Sequence, residues 1–225
     1  MKTSFLTVVV AIVAKDLRAE LRSRELISAM VLFALLSILI FSFALELNRI
    51  AREEAVTGVL WVTVSFASIL GLSRSLAMER DQGNLDAMLM APVARQAVFF
   101  GKLVGNFIFA LVVGLLLLPL MTVLYNKILV VPWLLLILIL GTLGYTTVGT
   151  LLATMTVQTR SRETLLPILI LPVALPVLLP AVRASTGILS GVPRAEWIDW
   201  PQILIVINVI YIVLSYLLFE YVIED

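Results

Sequence analysis

The residues of this chain best suited to do work lie in one polar segment, Glu79-Arg80-Asp81-Gln82-Gly83-Asn84-Leu85-Asp86-Ala87-Met88-Leu89-Met90-Ala91-Pro92. Gly83-Asn84 marks a turn, Asn84 is a good helix N-cap, and Asp86 is a first-turn acid facing the positive end of the helix dipole. Leu85, Met88 and Leu89 then share one side of a helix that stops before Pro92. Pro92 in turn can open the helix that runs on through Phe99 and Phe100. The chemistry this spacing supports is recognition rather than bond making. A short capped helix with an apolar face and acidic flanks is a docking element, although a plain amphipathic connector would carry the same pattern.

Bond-making chemistry has little to draw on. Cysteine is absent, which removes disulfides, thiolate chemistry and Cys-ligated metals together. Histidine is absent too, and with it the commonest metal ligand and the usual neutral-pH proton shuttle. An enzyme built here would have to use carboxylates, Lys or Tyr, and no paired intramembrane carboxylates or metal-ligand spacing occur. The phosphate-cradling Gly-x-x-x-x-Gly-Lys-Ser/Thr loop is missing as well: Gly101-Lys102 has no upstream glycine and is followed by Leu103. A net charge of +1 offers no basic field for nucleic acid. No catalytic, metal-binding or cofactor-binding residue is therefore assigned.

The elements that must position the docking segment are membrane spans. Six runs of 19 or more residues contain no Asp, Glu, Lys or Arg: Leu26–Leu45, Ala55–Ser73, Leu103–Asn126, Ile128–Thr159, Thr164–Val182 and Pro201–Phe219. About 20 helical residues cross the roughly 30 Å of a bilayer's hydrocarbon core. Lipid gives the backbone no hydrogen-bond partner, so such runs must be helical. With 61% hydrophobic residues, the chain has too little polar surface for a water-soluble fold. The expected class is an all-α, multi-pass membrane protein forming one transmembrane domain, residues 1–225.

Before the first span, residues 4–24 read as an amphipathic helix. Leu6, Val10, Val13, Leu17 and Leu21 share one narrow face, with Lys15, Arg18 and Arg22 to one side and Asp16 and Glu20 to the other. Such a helix is expected to lie in the membrane interface, its cations near lipid phosphates. The start, Met1–Ala14, has the length of a secretory h-region but no small-x-small cleavage site follows, so it is not read as a signal peptide.

Within the spans, small residues predict close helix contacts. These are Gly101-x-x-x-Gly105 at the start of the third span, and Gly141, Gly144 and Gly149 in the fourth. Asn208 is the deepest strong hydrogen-bonder of a polar set that includes Asn106, Tyr125, Asn126, Tyr145, Tyr211 and Tyr216, and it reads as a tie between helices. The charge-free runs hold no carboxylate or cation, which speaks against a proton relay within one subunit. In the fifth span Pro167, Pro172, Pro176 and Pro180 remove several intrahelical bonds, so this helix is expected to kink or break and could serve as an outer gate. Residues 183–200, with Gly187, Gly191, Pro193, Trp197 and Trp200, read as an outer-face excursion, re-entrant or an ordinary loop.

Orientation follows from Lys and Arg. With the N-terminus cytoplasmic, eleven fall inside and five outside, which favours both termini in the cytoplasm.

The pattern Glu79-x-x-x-Gly83-x-Leu85-x-x-x-Leu89-x-x-Pro92, with Gly101-Lys102 before the third span, resembles the heme exporter protein B (CcmB) family. That family is the permease subunit of the cytochrome c maturation ABC transporter, within the ABC-2 exporter superfamily. The resemblance covers almost the whole chain, including the amphipathic N-terminus, six spans and the proline-rich fifth span. It implies an ABC-2 type permease fold, with the 79–92 segment as a coupling element seated on a separate ATP-binding subunit. It also implies heme-handling membrane partners and a periplasmic heme chaperone, in a bacterial inner membrane. Heme is then the transported ligand and ATP belongs to the partner. Lacking His and Cys, this chain offers heme iron no usual strong axial ligand. Six helices seldom enclose a sizeable path alone, which calls for a second copy, as a homodimer, or a different membrane protein.

Two other readings stay open at this point. One is a general ABC-2 exporter of lipids, drugs or polysaccharide precursors; the other is a non-transporting scaffold for heme-handling proteins.

Overall fold

The computed structural model describes residues 4–46, 49–81, 83–84, 90, 93–156 and 162–222. Among these, every regular element is helical: α1 (Phe5–Ser23), α2 (Glu25–Ala44), α3 (Arg49–Asp81), α4 (Arg95–Tyr125), α5 (Pro132–Thr156), α6 (Arg162–Leu189), a short 3-10 turn (Arg194–Glu196) and α7 (Asp199–Val222). Helices α2 to α7 are the six long and apolar enough to cross a membrane. The chain is an all-α membrane protein.

Several helices outrun the charge-free stretches that betray them. The 33 residues of α3 extend for about 50 Å at the usual rise, well beyond the hydrocarbon core. Its last turns, and the first turns of α4, therefore carry charge while remaining part of the bundle.

The α1–α2 elbow is made by a single left-handed residue, Arg24 (φ 57°), whose amide donates to the Glu20 carbonyl at 2.7 Å. The Glu20 carboxylate then accepts from the amides of Leu26 (3.3 Å) and Ile27 (2.8 Å), satisfying two orphan donors at the start of α2. One residue thus closes one helix with its carbonyl and caps the next with its carboxylate.

The span portions of α3 and α5 are 72% buried, against 22% for the last span, so these two helices form the centre. Trp61 of α3 fills the place where Gly141 of α5 has no side chain; a Cβ there would lie 2.1 Å from the Trp61 ring. At the end of the bundle away from α1, Trp61 Nε1 donates to Ser185 Oγ at 3.0 Å and Thr57 meets Thr186 at 2.8 Å, joining α3 to α6.

Helix α6 runs unbroken through Pro167, Pro172, Pro176 and Pro180, contrary to the expectation of a break. The physical reason lies on its other side. Ile170, Ala174, Val177, Ala181 and Ala184 are completely buried at helical spacing, and the helix packs along α5 over its length. Pro172 and Pro176 are exposed. Contacts on one face hold the axis while missing amides on the other are tolerated. Residues 183–189 belong to this helix; a turn at Gly191, the 3-10 turn and the start of α7 take up the remainder to 200.

Candidate functional site

The structure brings the docking segment's anchor together with residues from two other helices. Glu79, on the last turn of α3, is buried, as are Lys102 on α4 and Asp16 on α1. Lys102 Nζ stands 2.9 Å from Asp16 Oδ2 and 2.7 Å from Glu79 Oε1. Lys15 closes the set from the rim, 2.5 Å from Glu79 Oε1 and 3.2 Å from Asp16 Oδ1. Two cations and two carboxylates alternate, so the cluster as a whole carries no net charge. That balance makes the burial tolerable, since an unpaired charge there would be strongly destabilising.

The local sequence explains how α1 reaches this position. Gly101-x-x-x-Gly105 presents a groove on α4, and it receives the N-terminal helix rather than another span. A Cβ on Gly101 would lie 2.7 Å from Ile12 Cβ, and one on Gly105 would lie 3.3 Å from Asp16 Oδ2. Ile12, Asp16 and Glu20, four residues apart, are the buried face of α1. Leu6, Val10 and Leu21 of the expected apolar face are instead 70%, 64% and 74% exposed in the protein alone.

Neighbouring carboxylates keep Lys15 charged. Burial alone would lower the Lys15 ammonium, but the Glu79 and Asp16 carboxylates outweigh it and keep it above the ordinary lysine value. A hollow of about 70 Å³ adjoins the cluster, lined in part by Asp16, Glu20, Ser75 and Glu79. It is roomy enough for water, and Glu79 Oε2 is buried with no hydrogen-bond partner among the described residues.

Of the segment itself, Glu79, Arg80, Asp81, Gly83, Asn84 and Met90 are described. Gly83 takes the left-handed conformation (φ 67°) expected of its turn, and its amide donates to the Arg80 carbonyl at 2.9 Å. Leu85, Asp86, Met88, Leu89 and Pro92 lie outside the described residues. Deeper in the bundle, Asn208 Nδ2 donates to the Leu140 carbonyl at 3.0 Å, joining α7 to α5, and Gly144 leaves room for its side chain. Asn106 Nδ2 donates to Thr150 Oγ1 at 3.1 Å, joining α4 to α5.

Sequence reasoning missed the cluster. It placed Asp16 and Glu20 on a polar face beside the membrane, and it treated the spans as free of buried charge. Glu79 and Lys102 are buried on the same helices that cross the membrane. The available signal was the pair of four-residue spacings, Asp16-x-x-x-Glu20 on α1 and Gly101-x-x-x-Gly105 on α4.

Among the described residues no three carboxylates converge as metal ligands. What the arrangement can do is mechanical. It links the end of α3, the start of α4 and the N-terminal helix, so that displacement of one is felt by the other two. Phe99 near the start of α4 packs on Phe219 near the end of α7, ring centroids 4.9 Å apart. The N-terminal helix, the end of α3, the start of α4 and the end of α7 thus share one end of the bundle.

The family profile described as CcmB protein matches residues 7–223. "Heme exporter protein B" of Rhodobacter capsulatus is 29% identical over 192 residues, covering 82% of this chain and 87% of the relative. Proteins of the same name are 27% identical in Pseudomonas aeruginosa, over 80% of each chain, and 26% identical in Bradyrhizobium diazoefficiens, over 83% of this chain and 84% of that one.

Proposed function

The chain belongs to the CcmB family, and on that premise we propose that it is the transmembrane permease subunit of an ABC transporter serving cytochrome c biogenesis. The output is heme export or release of a heme-loaded periplasmic chaperone. It is driven by ATP hydrolysed in a separate ABC subunit, because this sequence has no nucleotide-binding loop of its own.

The observation that carries the coupling role is the contact of Glu79 with Lys102, and through it with Asp16. Glu79 opens the 79–92 segment. Closure of the ATPase pair pushes on that segment, and the push passes through Glu79 and Lys102 to α4 and α1. Helices α3 and α4 then tilt against their neighbours, where Gly141 and Gly144 make room for the side chains of Trp61 and Asn208. Leu85, Met88 and Leu89 supply the apolar contact with the ATPase; Asp81 and Asp86 flank it. Prolines Pro167, Pro172, Pro176 and Pro180 give α6 the freedom to bend, and Asn208 holds α7 to α5 as it does so.

The membrane is the bacterial inner membrane, with both termini in the cytoplasm. The excess of Lys and Arg at the end shared by α1, the end of α3, the start of α4 and the end of α7 supports that orientation. The exposed Leu6, Val10 and Leu21 of α1 enter the lipid interface. A second copy of the chain or another membrane protein completes the path, and heme-handling membrane partners supply any axial ligand to the iron.

The test is replacement of Leu85 and Leu89 by Asp, with ATPase co-purification and cytochrome c yield as readouts. Loss of both is expected. Wild-type binding and yield would refute the coupling role.

A further inference from the structure

A second opening, a cleft of about 700 Å³, lies between α2 and α3 at the same end of the bundle. Glu25, Ala29 and Leu32 line it from α2, and Arg74, Met78 and Asp81 from α3. Each helix contributes residues at three- and four-residue spacing, so the cleft is a groove between two facing stripes.

Sequence places this groove at the boundary between hydrocarbon and headgroups. Glu25 is the last charge before the first apolar run, and Arg74 is the first charge after the second. The contact of Met30 with Gly71 fixes the antiparallel register of the two helices. From that register the lining falls in a definite order along the membrane normal. Leu32 lies deepest, then Ala29, then Arg74, then Glu25, then Met78, and Asp81 outermost. One turn of α3, about 5.4 Å, separates Arg74 from the level of Met78.

Arg74 is exposed and makes no ion pair with another described residue, and the same is true of the Glu25 side chain. A guanidinium at the edge of an apolar floor is suited to phosphate. Carboxylates one step farther out would repel a purely anionic headgroup but attract a cation. We propose that this groove binds a zwitterionic phospholipid whose headgroup carries a primary amine. The acyl chains lie along Ala29 and Leu32, the phosphate on Arg74, and the ammonium on Glu25. A primary ammonium donates three hydrogen bonds; a quaternary one donates none, so choline is discriminated against.

Native mass spectrometry of the full chain in detergent, titrated with dioleoyl phosphatidylethanolamine, phosphatidylglycerol or phosphatidylcholine, tests this. Phosphatidylethanolamine should bind about tenfold tighter than either of the others, a difference set by one charge-assisted contact. Glu25→Gln should bring it to the phosphatidylcholine level, Arg74→Gln should weaken phosphatidylethanolamine and phosphatidylcholine alike, and Ala29→Trp, which fills the floor, should remove binding. Equal retention of phosphatidylglycerol, or wild-type phosphatidylethanolamine binding by Glu25→Gln, Arg74→Gln or Ala29→Trp, would overturn the proposal.

Discussion

Lys102 on α4 holds the Asp16 carboxylate of the N-terminal helix at 2.9 Å, and it can do so because Gly105, one turn farther along α4, has no side chain to keep Asp16 away. Charge and shape are matched at a single crossing. The same ammonium reaches Glu79, so three helices meet on one lysine.

Replacing that lysine should be costly. Lys102→Met leaves Asp16 without its buried partner, a loss of roughly 3–5 kcal/mol for a buried ion pair. Asp16→Asn combined with Lys102→Met should cost less than the two single changes added together, with a coupling of about 0.5–3 kcal/mol. Thermal unfolding of the four variants in detergent measures the cycle.

The groove makes a separate prediction about α1. Gly101→Ile places a branched side chain where Ile12 already stands, and overpacking of this kind costs about 1–3 kcal/mol. The strain is relieved by lifting α1, so limited proteolysis should cut within residues 5–23 faster than in the wild type. Gly58, where a Cβ would meet nothing within 4 Å, is the control position: Gly58→Ala should leave cleavage unchanged.

Lys15 sets the expected pH dependence. Its folded-state value is raised above 10.5, so its contribution to stability is fully present at neutral pH and is lost as pH climbs past the ordinary lysine value. Lys15→Met should flatten the alkaline part of the stability curve and leave the region below pH 9 parallel to the wild type. The effect is small, because the Lys15 side chain is 41% exposed and solvent screens it.

Continuity of α6 predicts the sign of a proline change. Pro172→Ala restores an amide able to donate to the Ile168 carbonyl on the exposed side of the helix. The thermal midpoint should rise, whereas Val177→Ala, on the fully buried side, should lower it.

Six spans were legible because lipid leaves the backbone one solution and removes charge from every crossing residue. Their ends were not, because α3 and α4 continue as helices after charge returns, and a hydropathy argument stops where charge begins. The role of Gly101 and Gly105 as a seat was half legible: the spacing marks close approach, but nothing local says that the visitor is α1. Asp16 was misplaced for the same reason. A helical wheel sorts residues by polarity against water or lipid, and Asp16 faces neither; it faces Lys102, which lies 86 positions away in the sequence. The four prolines of α6 argued for a break on local grounds, and contacts along Ile170, Ala174 and Val177 decided otherwise.

The coupling role of the 79–92 segment is tested most directly by a photoreactive side chain at Asn84 in cells making the complete transporter. The account predicts a crosslink to the ATP-binding subunit that forms from the cytoplasmic side and changes in yield when nucleotide is trapped. A segment that is labelled from the periplasm, or that never captures that subunit, would contradict it.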